Sequence, residues 1–490
     1  MAVPEEIRNV ERPKNTVVVD QGKDGPYRWA VRERSGIKYI SHGNPQPHNG
    51  KVIGHIIDGK YVPRGQKVVK QEVEALSWGA AALVHSFSSD LKDDLLQIFS
   101  AEDVFKIMAI ASLRVIAPGV SNSRLMTEYR RTYVSQFYPG SRLSQATVCK
   151  FLQKLGESIS LRHKFFELRL QRVCAQHHIV IDGMLKQDNS KVNDLSAFSF
   201  KGRIKGTRDI SVIYAYDLEL MEPVCCEVFS GNTIDASAYS YFIRDNNVNK
   251  GIIVADKGFP PSQIASELKD RPQLHFLTPI KRNDTRIKTN AMLDFTEVLE
   301  GVEGHILCKK QQIKGGHYLY SFRDLEKSKL EEKTFIEQSK IKQNFDSDKY
   351  AKKCPCFGTL VLESDLDLSL LAAYKAYEDR WKIELVFDFY KNEINLDETR
   401  VQSDFSVQGS EFINYISTVL TCRIINKATN TGVLKQLAYK DLISDLSTAW
   451  RKVNCLNTPS RGDDSFAMRV HNDVNDLMEQ MGIQIPSDEK

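Results

Sequence analysis

A multidomain α/β chain built around a mixed sheet with helices on its faces is the fold class this sequence predicts. Three observations carry that expectation. The chain has 490 residues, too many for one ordinary core. From residue 171 onward, short apolar runs of strand length alternate with segments of helical periodicity. Before that point the texture changes twice, from a glycine- and proline-rich basic stretch to a purely helical one.

Composition sets outer bounds. A hydrophobic fraction of 41% and a charged fraction of 27% are ordinary for globular chains and allow a sizeable core. No run of about 18 apolar residues occurs, so no membrane span is expected. The opening MAVPEEIRNVERPKN has no apolar h-region and does not read as a signal peptide. Nine cysteines occur without a CxxC pair; Cys225 and Cys226 are adjacent, and Cys354 and Cys356 form a lone CxC. That pattern suits reduced thiols in a cytoplasmic setting and lacks zinc-finger spacing. A net charge of +4 does not by itself demand a nucleic-acid partner.

Residues 1–75 form a basic strand-and-turn region, with short strands expected at Thr16 to Val19, Lys38 to Ile40 and Lys51 to Ile53. Its excess of Lys and Arg is either a solvated surface or a DNA-contacting arm. Residues 76–170 are helical, with starts at Ser89-Asp90 and at Ser100, whose first turn is acidic. Within them, Ser144 would cap a helix carrying Gln145, Thr147, Lys150 and Lys154 on one side and Phe151, Leu152 and Leu155 on the other. That segment is either a bundle helix or a helix offered to a DNA groove.

Residues 171–282 give the order strand, strand, strand, helix, strand, helix, strand, which suits a mixed sheet. Residues 283–365 break the alternation and read as a β-rich insertion, with strands near Gly304 to Cys308, His317 to Phe322 and Thr359 to Glu363 joined by charged linkers. Helical patterning resumes over 366–440, and 441–490 form a C-terminal helical tail with turn residues and a charged end.

The chemistry concentrates at three places. On a helix over Tyr374 to Ile394, Tyr377, Arg380, Glu384 and Lys391 fall within an arc of about 60° at 100° per residue. Asp388 lies near the same side, while Ile383, Leu385, Val386, Phe389 and Ile394 lie opposite. A mostly apolar helix with one such stripe is costly to bury unless the stripe faces a site. An Arg380–Glu384 pair at i,i+4 explains two of those residues without any site, but not four. Asp182 closes the run His178 to Ile181, and Asp256 closes Gly251 to Ala255. Carboxyl ends of strands are where open α/β sheets place ligands. Either aspartate alone reads as a turn or a cap. Three converging carboxylates suit a hard divalent cation such as Mg²⁺.

These motifs resemble the DDE transposases of the YREK insertion-sequence group. The resemblance rests on Asp182, on Phe229 to Thr233 with Asp235 (a G-N-x-x-D stretch), on Asp256-Lys257-Gly258-Phe259, and on the Tyr377, Arg380, Glu384, Lys391 signature. Lys257 stands where the group more often has Arg. The likeness covers residues 170 to 430 well and thins on either side. It implies an RNase H-like catalytic domain interrupted by the β-rich insertion, with the helical region 76–170 binding the DNA ends. It implies catalytic, metal-holding roles for Asp182, Asp256 and Glu384, with Mg²⁺ as cofactor and Mn²⁺ able to replace it. Tyr377, Arg380 and Lys391 would grip phosphates, and Lys257, Arg203 and Lys205 would line the DNA path. The implied reaction is cleavage of insertion-sequence ends followed by joining of the 3′-OH to target DNA. The implied partners are double-stranded DNA and a second copy of the chain, without a membrane, in a bacterial cytoplasm at the nucleoid. Rival expectations are a transposase-derived DNA-binding protein that no longer cuts, a nuclease that hydrolyses without joining, and a chain whose acids are structural.

Overall fold

The computed structural model describes residues 3–22, 25–38, 46–64, 75–188, 190, 192–199, 207–233, 235–256, 261–453, 468–469 and 471–484. They fall into two compact units, Met1–Glu74 and Ala75–Lys490.

In the first unit, β1 (Thr16–Asp20), β2 (Trp29–Lys38), β3 (Gln46–Ile57) and β4 (Lys60–Pro63) pair antiparallel in that order. Val18, Val31 and Ile56 form its small core. Asp58 and Gly59, both at positive φ, make the two-residue turn that sets the β3–β4 register at Ile57↔Lys60. The strand expected at Lys38 to Ile40 overlaps the end of β2; residues 39–40 lie outside the described residues.

The second unit opens with β5 (Ala75–Ser77) and continues into helices. Ala101–Ile116 is buried along most of its length. Ser100 caps it by accepting the Asp103 N–H, and Ser144 caps Gln145–Glu157 by accepting the Thr147 N–H. In the latter helix Val148, Phe151, Leu152 and Leu155 are buried, while Gln145, Lys150 and Lys154 are exposed. The same unit holds the long helix Asp404–Asn430. It crosses Gln145–Glu157 through two glycines: a Cβ on Gly156 would lie 1.7 Å from the Phe405 carbonyl, and one on Gly409 would lie 2.0 Å from the Leu152 carbonyl.

The central ten-stranded sheet contains β6 (His178–Gln187), β7 (Ala197–Phe198), β8 (Arg208–Asp217), β9 (Glu222–Ser230), β10 (Lys250–Val254), β11 (Gln273–Pro279), β12 (Glu297–Val298), β13 (Ile306–Gln312), β14 (Tyr318–Asp324) and β15 (Thr359–Ser364). Their order is β12-β13-β14-β15-β11-β10-β6-β8-β7, with β9 also on β8. β6, β10 and β11 run parallel to their neighbours in that trio, and the flanking pairs are antiparallel. The unit closes with β16 (Trp450–Lys452) and β17 (Met468–Arg469), which join β5 in a small sheet, and with the helix Asn472–Met481. The turn residues expected after Asn457 lie outside the described residues up to Met468.

Three expectations change. First, β6 does not end at Asp182; it runs five residues further, because Met184 and Lys186 are buried against partners supplied by the rest of the fold. Second, the strands expected as an insertion extend the central sheet, with β15 pairing antiparallel to β11. Third, the charged linker before β15 is helical over Leu325–Ile341 and Ser347–Lys353. Those helices lack a wide apolar stripe. They rest on Asp324 and Asp346 N-caps and on surface pairs such as Lys333–Glu337.

Candidate active site

The parallel pairing of β6 and β10 positions two of the expected carboxylates. Val254 stands opposite Val180, and each aspartate follows its partner by two residues. Asp256 lies two residues beyond the end of β10, next to the strand that carries Asp182, and its charge acts on the Asp182 carboxyl. Asp182 is half-buried and Asp256 exposed. The Asp182 carboxylate accepts the Gly183 N–H at 2.8 Å and the Tyr239 hydroxyl at 3.2 Å. Burial pushes its pKa up and the Asp256 charge adds to that, while the Gly183 N–H, Arg380 and Tyr239 oppose the rise.

The third carboxylate comes from a segmented helix. Ser369 caps Leu370–Glu378 by accepting the Ala372 N–H. The path tightens into a 3₁₀ turn at Asp379–Trp381, returns to α over Lys382–Asp388, and widens into a π turn at Phe389–Glu393. Ile383, Val386, Phe387, Tyr390 and Ile394 are buried. Leu385, expected on the apolar side, is 37% exposed, and Phe389 is only half-buried. The uneven winding explains the difference, since a constant 100° per residue does not hold across it.

Glu384 is thereby turned outward, with its side chain 61% exposed. Arg380 Nη2 lies 3.6 Å from Glu384 Oε1, and its guanidinium sits 5.5 Å from the Tyr377 ring centroid. The same guanidinium, through its charge, opposes the rise of the Asp182 pKa. Burial raises the Tyr377 phenol, with Arg380 opposing and Asp256 adding. Tyr377, Arg380, Asp182 and Asp256 thus act on one another, and Glu384 joins them through Arg380. Lys391 is half-buried in the π turn. Lys257, Arg203 and Lys205 lie outside the described residues.

Among the described residues, the one group of three metal-type ligands with all donor atoms within 4.8 Å is His177, Asp217 and Glu219. Asp182, Asp256 and Glu384 do not form such a group. The His177 group sits at the start of β6, about 13 Å of strand from Asp182. Its bonds are internal. Asp217 accepts the Glu219 and Leu220 N–H groups and pairs with His177 at 2.7 Å, and Glu219 pairs with His178 at 2.7 Å. It pins the β8–β9 turn to the β6 edge.

Sequence reasoning missed two features near the site. Tyr239 carries no motif beyond lying four residues after Asp235. The second is a buried polar cluster of Lys186, Glu411, Tyr390, Asn414 and Arg114. Its members are scattered across the chain, and no local signal marks them as buried.

No curated protein matches the chain by sequence. Among solved structures, a piggyBac transposase in a synaptic complex with hairpin DNA is similar, at 9% identity and a TM-score of 0.39 over 84% of this chain and 86% of that one; at that score the likeness carries no argument. Residues 178–418, which run from the first residue of β6 into the long helix that follows Glu384, match the family described as "Transposase DDE domain". Just under half of the chain, its central part, is thus similar to a transposase DDE domain.

Proposed function

We propose that the chain is a divalent-metal-dependent DNA transposase of the YREK group, which cleaves the ends of its insertion sequence and joins the freed 3′-OH to target DNA. The observation that carries the reading is that Asp182 and Asp256 each follow the paired Val180 and Val254 of adjacent parallel strands by two residues, while Arg380, 3.6 Å from Glu384, acts electrostatically on Asp182. The order β9-β8-β6-β10-β11, three antiparallel strands followed by two parallel ones, supports an RNase H-like core.

The donor set suits a hard cation. Burial first, and the Asp256 charge in addition, raise the Asp182 carboxyl, which a divalent ion would relieve. Asp182, Asp256 and Glu384 would hold Mg²⁺, or Mn²⁺ in its place; Glu384 is exposed and paired with Arg380. When bound, the metal supplies Lewis-acid activation of the attacking oxygen and charge relief at the leaving one. Arg380 presents forked donors to a phosphate, and its attachment to Glu384 orients that carboxylate. Tyr377, held against Arg380, offers a hydroxyl beside the same phosphate. Lys391 adds a point charge further along the helix, and Lys257, Arg203 and Lys205 would extend the DNA path. The exposed face of Gln145–Glu157 would contact the element ends, and two copies would pair them. The setting would be the bacterial cytoplasm at the nucleoid.

The test uses labelled DNA spanning the ends of the element that encodes the chain, incubated with Mg²⁺ and a plasmid target. Wild type is expected to cut the ends and to transfer the labelled 3′ strand into the plasmid, and Asp182→Ala to do neither. Cutting without transfer would favour a hydrolytic nuclease. Metal-independent DNA binding without cutting would favour the non-cutting relative.

A further inference from the structure

The strand carrying Asp182 and the helix carrying Glu384 are tied together beneath the site by charged and polar groups in a place where apolar packing would suffice. Lys186 lies four residues after Asp182 on β6, so the two share a sheet face. Its Nζ donates to Glu411 Oε1 at 2.7 Å and to the Tyr390 hydroxyl at 2.8 Å. The Tyr390 hydroxyl donates to Glu411 Oε2 at 2.6 Å and accepts from Asn414 Nδ2 at 3.1 Å. Asn414 Nδ2 also donates to Glu411 Oε1 at 2.9 Å, and its Oδ1 accepts from Arg114 Nη1 at 2.6 Å. Lys186, Glu411, Tyr390 and Asn414 are each at most 3% exposed, and Arg114 is 5% exposed.

Tyr390 sits in the π turn six residues after Glu384. The cluster therefore joins four elements: β6, the Glu384 helix, the long helix Asp404–Asn430 and the helix Ala101–Ile116. Burying a lysine and a glutamate costs more than filling the same volume with apolar side chains, which would hold the fold as well or better. What the polar cluster adds is direction. Apolar contacts let a helix slide and turn on a sheet, whereas a triangle of charge-assisted hydrogen bonds fixes both its offset and its rotation.

We infer that Lys186, Glu411 and Tyr390 are positioning residues that hold the Glu384 helix at the offset from Asp182 needed to bind a divalent cation. The inference rests on the proposed site reading. Groups that orient metal ligands are typically worth 10–100-fold in metal affinity; here the orientation is passed on through β6 and the Glu384 helix.

The test titrates the full chain with Mn²⁺ by calorimetry and follows thermal unfolding of each variant. Tyr390→Phe keeps the ring and removes the hydroxyl; it is expected to stay folded and to bind Mn²⁺ about tenfold more weakly. The triple variant Lys186→Met, Glu411→Leu, Tyr390→Phe replaces the triangle with apolar groups of similar volume. It leaves the Asn414 amide without its acceptors and Arg114 without the Glu411 charge, so it is expected to unfold below wild type, as Arg423→Met does, but unlike Arg423→Met to bind Mn²⁺ at least tenfold more weakly, a separation a merely structural role would not produce. Arg423→Met, which breaks a different buried ion cluster, is expected to lower the unfolding temperature with Mn²⁺ affinity unchanged. Triple-variant affinity within twofold of wild type, while Asp182→Asn abolishes binding, would overturn the positioning role and leave the site reading standing. Unchanged binding in Asp182→Asn would overturn both.

Discussion

Gly409→Ala should destabilise the protein, although the same change on an ordinary helix stabilises it. Gly409 lies inside Asp404–Asn430, where alanine is preferred over glycine by about 0.8–1 kcal/mol. A Cβ there would stand 2.0 Å from the Leu152 carbonyl oxygen, 2.9 Å from its carbon and 3.0 Å from the Gly156 nitrogen. All three atoms are backbone, so no side chain can swing away. Restoring ordinary contact at 3.4 Å would move the crossing helix by about 1.4 Å, which opens gaps around Val148, Leu152 and Leu155. Overpacking costs about 1–3 kcal/mol, and contact with backbone that cannot swing aside puts this site at the upper end; after the helix preference is subtracted, the net loss is about 2 kcal/mol. For the larger unit the unfolding entropy is roughly 0.9 kcal/mol per kelvin, so the melting temperature should fall by about 2 °C or more. Scanning calorimetry on wild type and variant measures it. A rise in melting temperature would refute the close helix crossing, because only an uncrowded Gly409 lets the intrinsic preference show.

Other expectations follow from the same packing and charges. Arg169 is 1% exposed between Asp90, Asp94 and Glu222, so Arg169→Met strands buried carboxylates and should cost about 3–5 kcal/mol in urea unfolding; a loss under about 1 kcal/mol would contradict the buried pairing. Burial, helped by Lys92, holds the His85 imidazole below its ordinary value, so the neutral ring is favoured in the fold. Its contribution is full above about pH 6.5 and is lost as the pH falls through that value toward the folded-state one. His85→Phe, which can keep the stacking on Phe137, should therefore lose less stability than wild type between pH 7.5 and pH 5, and equal losses would count against the assignment. Arg380→Lys keeps the charge but not the fork, so end cleavage should drop on the order of a hundredfold with the melting temperature nearly unchanged; full activity would remove Arg380 from the site.

Much of the candidate site was legible because its signals are local. Asp256 follows an apolar run of strand length and opens the DKGF motif, and Ser100 and Ser144 stand where their caps form. The continuation of β6 past Asp182 was not legible, because Gly183 to Gln187 alternate in burial only against partners distant in sequence. Lys186 reads as a surface lysine until Glu411, 225 residues later, is placed beside it. Leu385 was assigned to the apolar side by a uniform helical period, which the tightened turn at Asp379–Trp381 and the widened one at Phe389–Glu393 do not follow. The helices before β15 escaped notice because caps and surface ion pairs hold them, and neither leaves an apolar stripe to read.

The most direct test of three carboxylates sharing a metal loads the full chain with Fe²⁺ and adds ascorbate and peroxide, so that radicals formed at the bound ion cut the nearby backbone. Fragment mapping should place the cuts around Asp182, Asp256 and Glu384, and excess Mg²⁺ should suppress all three together. Cuts confined to the neighbourhoods of His177, Asp217 and Glu219, or cuts at Asp182 and Asp256 that never extend to Glu384, would contradict the shared site.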